Sequence, residues 1–153
     1  MTSAHPHDAQ IRALYVAFID GWNQRSGAAV SSGFADDGDM IGFDGSHTAG
    51  RLSIAAEFRK IFGSHPTPLY VALIQSVRSM ADGVAVLHAH AGMIPPGGSD
   101  LDPDLLAVHT MTAVQDGGRW RIGLFQATPA GWHQRPEARE ALLGELRGLL
   151  APS

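Results

Sequence analysis

Two histidines set two residues apart, His88 and His90, are the first side chains in this sequence whose types and spacing suit chemistry. They close the run Val84-Ala85-Val86-Leu87-His88-Ala89-His90, which otherwise reads as a buried strand. Alternation puts both imidazoles on one strand face with Val84 and Val86, so that face is expected to point inward. Buried imidazoles need partners, because an unpaired polar group in an apolar interior is costly. With an ordinary pKa near ~6.5, such a pair suits acid–base work or ligand binding close to neutral pH. It equally suits a structural hydrogen-bond row. With His109 on a neighbouring strand the set also has the make-up of a three-histidine zinc site, although no carboxylate is evident on that face to orient the rings.

Turn residues allow the strands to be aligned. A two-residue turn at Asp82-Gly83 sets His90 opposite Gln75 and His88 opposite Val77. Symmetric closure of the connection Ile94 to Asp104 sets His90 opposite His109 and His88 opposite Met111. A hairpin at Gly117-Gly118 then sets His109 opposite Gln126 and Met111 opposite Leu124. Directly opposed side chains lie within ~5.5 Å at Cβ. The expectation is a polar row of Gln75, His90, His109 and Gln126 across four strands. His90 and His109 are the candidate acid–base groups. Trp22, Gln75, His88, Met111 and Gln126 are the candidate ligand-binding groups. No metal is assigned.

The elements that must position these residues are legible from periodicity. Ile11, Leu14, Tyr15, Phe18, Ile19 and Trp22 recur at helical spacing after Asp8. Residues 28 to 35 suit a short helix, and Asp39 to Phe43 a short strand before the Asp44-Gly45 turn. Arg51 to Phe62 carries Ile54, Phe58, Ile61 and Phe62 on one side. Tyr70 to Met80, Val84 to Met93, Leu105 to Gln115 and Arg119 to Thr128 read as strands. The connection Ile94 to Asp104 is expected to be exposed and mobile. Leu142, Leu143, Leu146, Leu149 and Leu150 mark a C-terminal amphipathic helix at about 136 to 150. Helices followed by a meander predict a single α+β domain over residues 1–153, with a core at 8–130 and helices on one side of a curved antiparallel sheet. Ala85, Leu87, Ala89, Ala91, Thr110, Thr112 and Phe125 are expected on the other side, a surface suited to packing against a second copy.

The composition excludes several function classes. Of 153 residues, 44% are hydrophobic and 17% charged, which fits a folded globular chain. A net charge of −4 with scattered basic residues argues against nucleic acid. The absence of cysteine removes disulfides and thiol nucleophiles. The polar stretch Met1 to Gln10 does not read as a signal peptide, and no apolar run approaches the ~20 residues of a membrane span. A cytoplasmic protein without membrane contact is expected. No phosphate loop, nucleophile elbow or dinucleotide fingerprint occurs.

Several segments in order carry a resemblance. They are Phe18-Ile19-Asp20-Gly21-Trp22-Asn23, Phe34-Ala35-Asp36-Asp37-Gly38-Asp39, Gly42-Phe43-Asp44-Gly45 with Gly50-Arg51 and Ile54, Val84 to Ala89, and Gly118-Arg119-Trp120-Arg121-Ile122 to Phe125-Gln126. Their order and spacing over about residues 10 to 129 resemble the nuclear-transport-factor-2-like, or SnoaL-like, superfamily, and within it the SgcJ/EcaC-type branch. The resemblance implies a cone-shaped α+β fold (cystatin-like), helices on the concave sheet face and a homodimer through the outer face. It implies a cavity for a hydrophobic small molecule and no cofactor. The branch is associated with polyketide-derived natural products such as enediynes, and the superfamily holds isomerases, dehydratases and cyclases beside proteins that only bind. No agreed catalytic set comes with the branch. Three readings stay open: His-based acid–base chemistry on a polyketide-like intermediate, non-catalytic ligand binding, and a dimerisation module with a structural polar row.

Overall fold

A computed structural model of the chain describes residues 6–150. Residues 1–5 of the polar N-terminal stretch, which does not read as a signal peptide, lie outside the described residues. Helix α1 (Asp8–Asn23) and the short α2 (Gly27–Ser31) lead into β1 (Phe34–Ile41), β2 (His47–Ala49) and α3 (Arg51–Ser64). Strands β3 (Leu69–Ala81), β4 (Val84–Ile94), β5 (Ala107–Asp116) and β6 (Arg119–Pro129) follow, then α4 (Pro136–Gly148). The six strands form one sheet in the order β2-β1-β6-β5-β4-β3. The fold is α+β, as expected, but the sheet is mixed. β1 runs parallel to β6, which the chain reaches only after β2, α3 and the β3–β5 meander rather than through a hairpin.

Helix α1 buries Ile11, Tyr15, Phe18 and Ile19 against the sheet, and α3 buries Ile54, Phe58 and Phe62. The sheet's inner face meets them with Ala85, Leu87, Ala89 and Ala91 of β4, His109, Met111 and Ala113 of β5, and Ile122, Phe125 and Ala127 of β6. The small alanines of β4 leave room for the large rings of α1, which is how a flat strand accepts a helix at close range. On the opposite face α4 lays Leu142, Leu143 and Leu146 over Val71, Leu73, Ile94, Leu101, Leu106 and Trp132. Gly92 lies under this helix. A Cβ there would come within 2.8 Å of Leu101 Cδ2 and 3.1 Å of Leu146 Cδ1. The connection between β4 and β5 is exposed at residues 96–100, 103 and 104, as expected, but it is also tied down at its middle. Its Leu101 and Leu106 are anchors of the second apolar cluster.

The β4 register differs from the expected one, by one residue against β5 and by one to two against β3. His90 pairs with Val108 and Leu73, and His88 with Thr110 and Ser76. A one-residue shift moves every side chain of a strand to the other face. Three causes combine. A bulge lies between Ile74 and Ser76, so Gln75 drops out of the pairing. The β4–β5 connection closes asymmetrically, pairing Ala91 with Ala107, with the Asp102 amide bonded to the Met93 carbonyl. A second irregularity in β5–β6 skips Gly123, so that Ile122 and Phe125 both face inward. Consequently Ala85, Leu87, Ala89, Ala91 and Phe125, expected on the outer face, form the inner one.

Candidate functional site

The expected row of Gln75, His90, His109 and Gln126 does not form. His109 alone of the four faces the helices and is fully buried. Gln75 is exposed at its bulge, with its amide bonded only to the Leu73 carbonyl. Ser76, His88, Thr110 and Gln126 make a different polar row, rung by rung, on the outer face. His90 sits one rung further along that face, with its ring 5.3 Å from that of Trp132. Burial lowers its pKa, and the Glu145 carboxylate of α4 partly opposes this. The three-histidine zinc arrangement fails for the same reason: His88 and His90 are across the sheet from His109.

The Tyr15 hydroxyl lies 2.8 Å from His109 Nδ1. His109 Nε2 is buried with no hydrogen-bond partner. Burial pushes the His109 pKa down to about 3, so the ring is neutral. If Nδ1 carried the ring proton, both the Tyr15 O–H and Nε2 would lack partners. With Tyr15 donating to Nδ1, only the Nε2–H does. The second tautomer costs less. The His109 ring stands edge-on to Tyr70, with centroids 5.0 Å apart and planes inclined at 79°.

Tyr70 leads from this buried pair to a cavity. The cavity measures about 240 Å³ and opens between β1, β3 and α3. Its walls are Trp22, Met40, Phe43, Phe58, Ile61 and Tyr70, and its mouth carries Asp44, Ser46, Thr48 and Glu57. Local sequence explains why the walls hold still. Trp22 ends the α1 stripe, and its indole N–H donates to the Pro68 carbonyl at 2.7 Å. Asn23 holds both backbone groups of Tyr70, accepting from its N–H at 2.8 Å and donating to its carbonyl at 3.0 Å. Arg25, at φ 58° in the left-handed region, donates to the carbonyls of Phe62 and His65 and to the Thr67 hydroxyl. These three sets of bonds tie the end of α1 to the segment that enters β3. Trp22 also meets Phe58 at 5.5 Å and 75°, and Tyr70 at 5.0 Å and 55°. Steep angles of this kind make a box of rings rather than a stack.

Tyr70 is only 7% exposed. Among the described residues its hydroxyl has no hydrogen-bond partner. Burial raises its pKa well above the ordinary phenol value, so it stays a donor. At the mouth, Asp44 Oδ1 accepts from the Ser46 amide at 3.0 Å and the Ser46 hydroxyl at 2.5 Å. Those bonds hold the Asp44 pKa below its ordinary value.

Of the sequence candidates, Trp22 lines this cavity and His109 lies behind Tyr70. Met111 is in the inner core, paired with Leu87 and Phe125, and does not line it. His88, His90 and Gln126 are on the outer face. Tyr15, Tyr70, Met40, Phe58 and Glu57 were not singled out from sequence. Tyr15 was accessible to that reasoning, since it shares the α1 stripe with Trp22 seven residues on.

No family model matches the sequence, and no curated protein is significantly similar to it. Solved structures do match. A domain of unknown function with a cystatin-like fold from Nostoc punctiforme superposes with a TM-score of 0.80 at 21% identity, over 96% of this chain and 98% of that one. A ketosteroid isomerase-like protein from Erwinia carotovora atroseptica gives 0.64 at 16% identity, over 82% and 97% of the two chains. An NTF-2 like protein of unknown function from Shewanella oneidensis gives 0.63 at 15%, over 78% and 97%. The chain has the nuclear-transport-factor-2-like, cystatin-like fold. No helix among the described residues is long and apolar enough to cross a membrane.

Proposed function

We propose that the chain, acting as one domain, binds a small and largely apolar molecule in the Trp22–Tyr70 cavity. One observation carries this reading: Tyr70, whose hydroxyl has no protein hydrogen-bond partner among the described residues, lines a cavity otherwise walled mainly by apolar and aromatic side chains. A ligand oxygen in that cavity could accept from this hydroxyl. At about 240 Å³, the space exceeds the ~150 Å³ that holds benzene and falls short of the ~300–1,000 Å³ of drug-sized sites. The ligand, or the part that enters, therefore has one or two rings. The resemblance to the SgcJ/EcaC-type branch supports a fragment of a polyketide-like intermediate, as in enediyne biosynthesis. The ketosteroid isomerase-like neighbour supports a cyclic ligand with a carbonyl oxygen.

Binding is favoured over proton shuttling between two histidines. His90 is across the sheet from the cavity, and His109, with its pKa near 3, is a poor base at neutral pH. A second copy would pack on the outer face not covered by α4, around Val86, His88, Thr110 and Gln126. Half-burial of a mixed apolar and polar sheet surface supports this reading.

The cavity is tested by titrating 1-indanone, a two-ring ketone, while following the indole N–H resonance of Trp22. Saturable movement of that resonance is expected. Tyr70→Phe removes only the hydroxyl and is expected to weaken binding about three- to tenfold, the worth of one net hydrogen bond. Unchanged affinity in that variant would remove Tyr70 from the site.

A further inference from the structure

We infer that the ligand of this cavity carries a positive charge, as a protonated amine or a quaternary ammonium, seated between the ring walls and the two carboxylates at the mouth. The inference rests on the proposal that the cavity is a binding site and adds the chemical class of what enters it. Four aromatic side chains, Trp22, Phe43, Phe58 and Tyr70, border the space. Asp44 and Glu57 border it too, and no lysine, arginine or histidine does. The face of an aromatic ring is electronegative and attracts a cation most strongly where water is excluded. Carboxylates above such rings add to the same field, since a cleft lined by one sign of charge concentrates the opposite sign.

Neither the His47 ring nor the Arg51 guanidinium is paired with these two carboxylates. His47 Nε2 lies 3.6 Å from Asp39 Oδ1, and Arg51 is bound to Asp36 at 2.7 Å. Asp44 and Glu57 have no ion-pair partner among the described residues. Ser46 holds Asp44 in place through two bonds to one oxygen, and no hydrogen bond is made by the other. An anionic ligand would meet two carboxylates and four ring faces without a counter-charge. A neutral apolar ligand would use the rings and leave the carboxylates without a role. A cation uses both. The unpartnered Tyr70 hydroxyl, a donor, would then take an oxygen elsewhere on the same molecule.

The test compares two molecules of nearly identical shape, 3-hydroxyphenyltrimethylammonium and 3-tert-butylphenol. They differ in one positive charge, and both offer an oxygen to Tyr70. Binding to the wild-type chain is followed by the Trp22 indole N–H resonance. The cation is expected to bind about tenfold more tightly. The gap should narrow with added sodium chloride and in an Asp44→Asn/Glu57→Gln double variant. Both positions are exposed, so the fold is expected to survive, as the dispersion of the amide spectrum will show. Equal or tighter binding of 3-tert-butylphenol overturns the inference and leaves the cavity reading standing. So does failure of both probes where 1-indanone still binds. Failure of all three molecules overturns the cavity reading as well.

Discussion

His109 and His90 lie on adjacent strands, one rung apart, and end on opposite faces of the same sheet. His109 faces α1, has no exposed surface, and is held neutral with Tyr15 on one nitrogen and nothing on the other. His90 faces outward, is half-buried beside Trp132, and feels the Glu145 carboxylate of α4. The same residue type therefore answers to two solvents. On the inner face, burial removes the charge and makes hydrogen-bond geometry decisive. On the outer face, partial hydration keeps the imidazole's options open and lowers the energy of each contact.

The comparison can be broken by substitution. His109→Ala should be the most damaging change, costing about 3 kcal/mol, because it opens a buried void and strips the Tyr15 hydroxyl of its partner. Urea denaturation measures this directly. A loss below about 1 kcal/mol would mean that the inner face is not the tightly packed environment described.

A pH series sharpens the same contrast. The unfolded His109 titrates near 6.5 and the folded one near 3. Between those values the unfolded chain binds a proton that the folded chain does not, so stability falls as pH drops through that window. Above about 6.5 both forms are neutral and this dependence vanishes. Unfolding free energies measured between pH 4 and 7 should rise with pH by up to one proton's slope, about 1.4 kcal/mol per unit. In a folded His109→Leu variant this part of the slope should be missing.

The outer face gives smaller effects on folding and larger ones on association. Thr110→Glu places a carboxylate in the middle of the Ser76–His88–Thr110–Gln126 row. If the second copy packs on that face as proposed, sedimentation equilibrium is expected to show a dimer for the wild-type chain and a monomer for this variant. A variant that still dimerises as tightly would move the interface elsewhere. His90→Ala is expected to be the mildest change, costing under about 1 kcal/mol, with binding of 1-indanone unaltered.

How much of this was legible in the sequence depends on the kind of signal. Helices α1 and α3 were readable because their apolar residues repeat at 3.6 and the pattern needs no partner. The Asp82-Gly83 turn was readable because Gly83 supplies a positive φ of 71°. Strand faces were not. Val84, Val86, His88 and His90 looked like the inward set because valine is apolar, yet Ala85, Leu87, Ala89 and Ala91 are fully buried. Alternation fixes that two faces exist, and only the partner strands decide which one goes in. Those partners were mis-set by residues that no turn rule reveals: the bulged Gln75, the skipped Gly123, and a β4–β5 connection bent by Leu101 and Leu106 reaching for α4. The cavity was half legible. Trp22 stood out as the polar-tipped end of an apolar stripe, whereas Tyr70 acquires its role from Asn23, forty-seven residues away in sequence.

A crystal structure with 1-indanone bound tests the central claim most directly. The account predicts the ketone between Trp22 and Phe58, with its oxygen within hydrogen-bond distance of the Tyr70 hydroxyl. A ketone found instead on the outer face, beside His88 and His90, would contradict it.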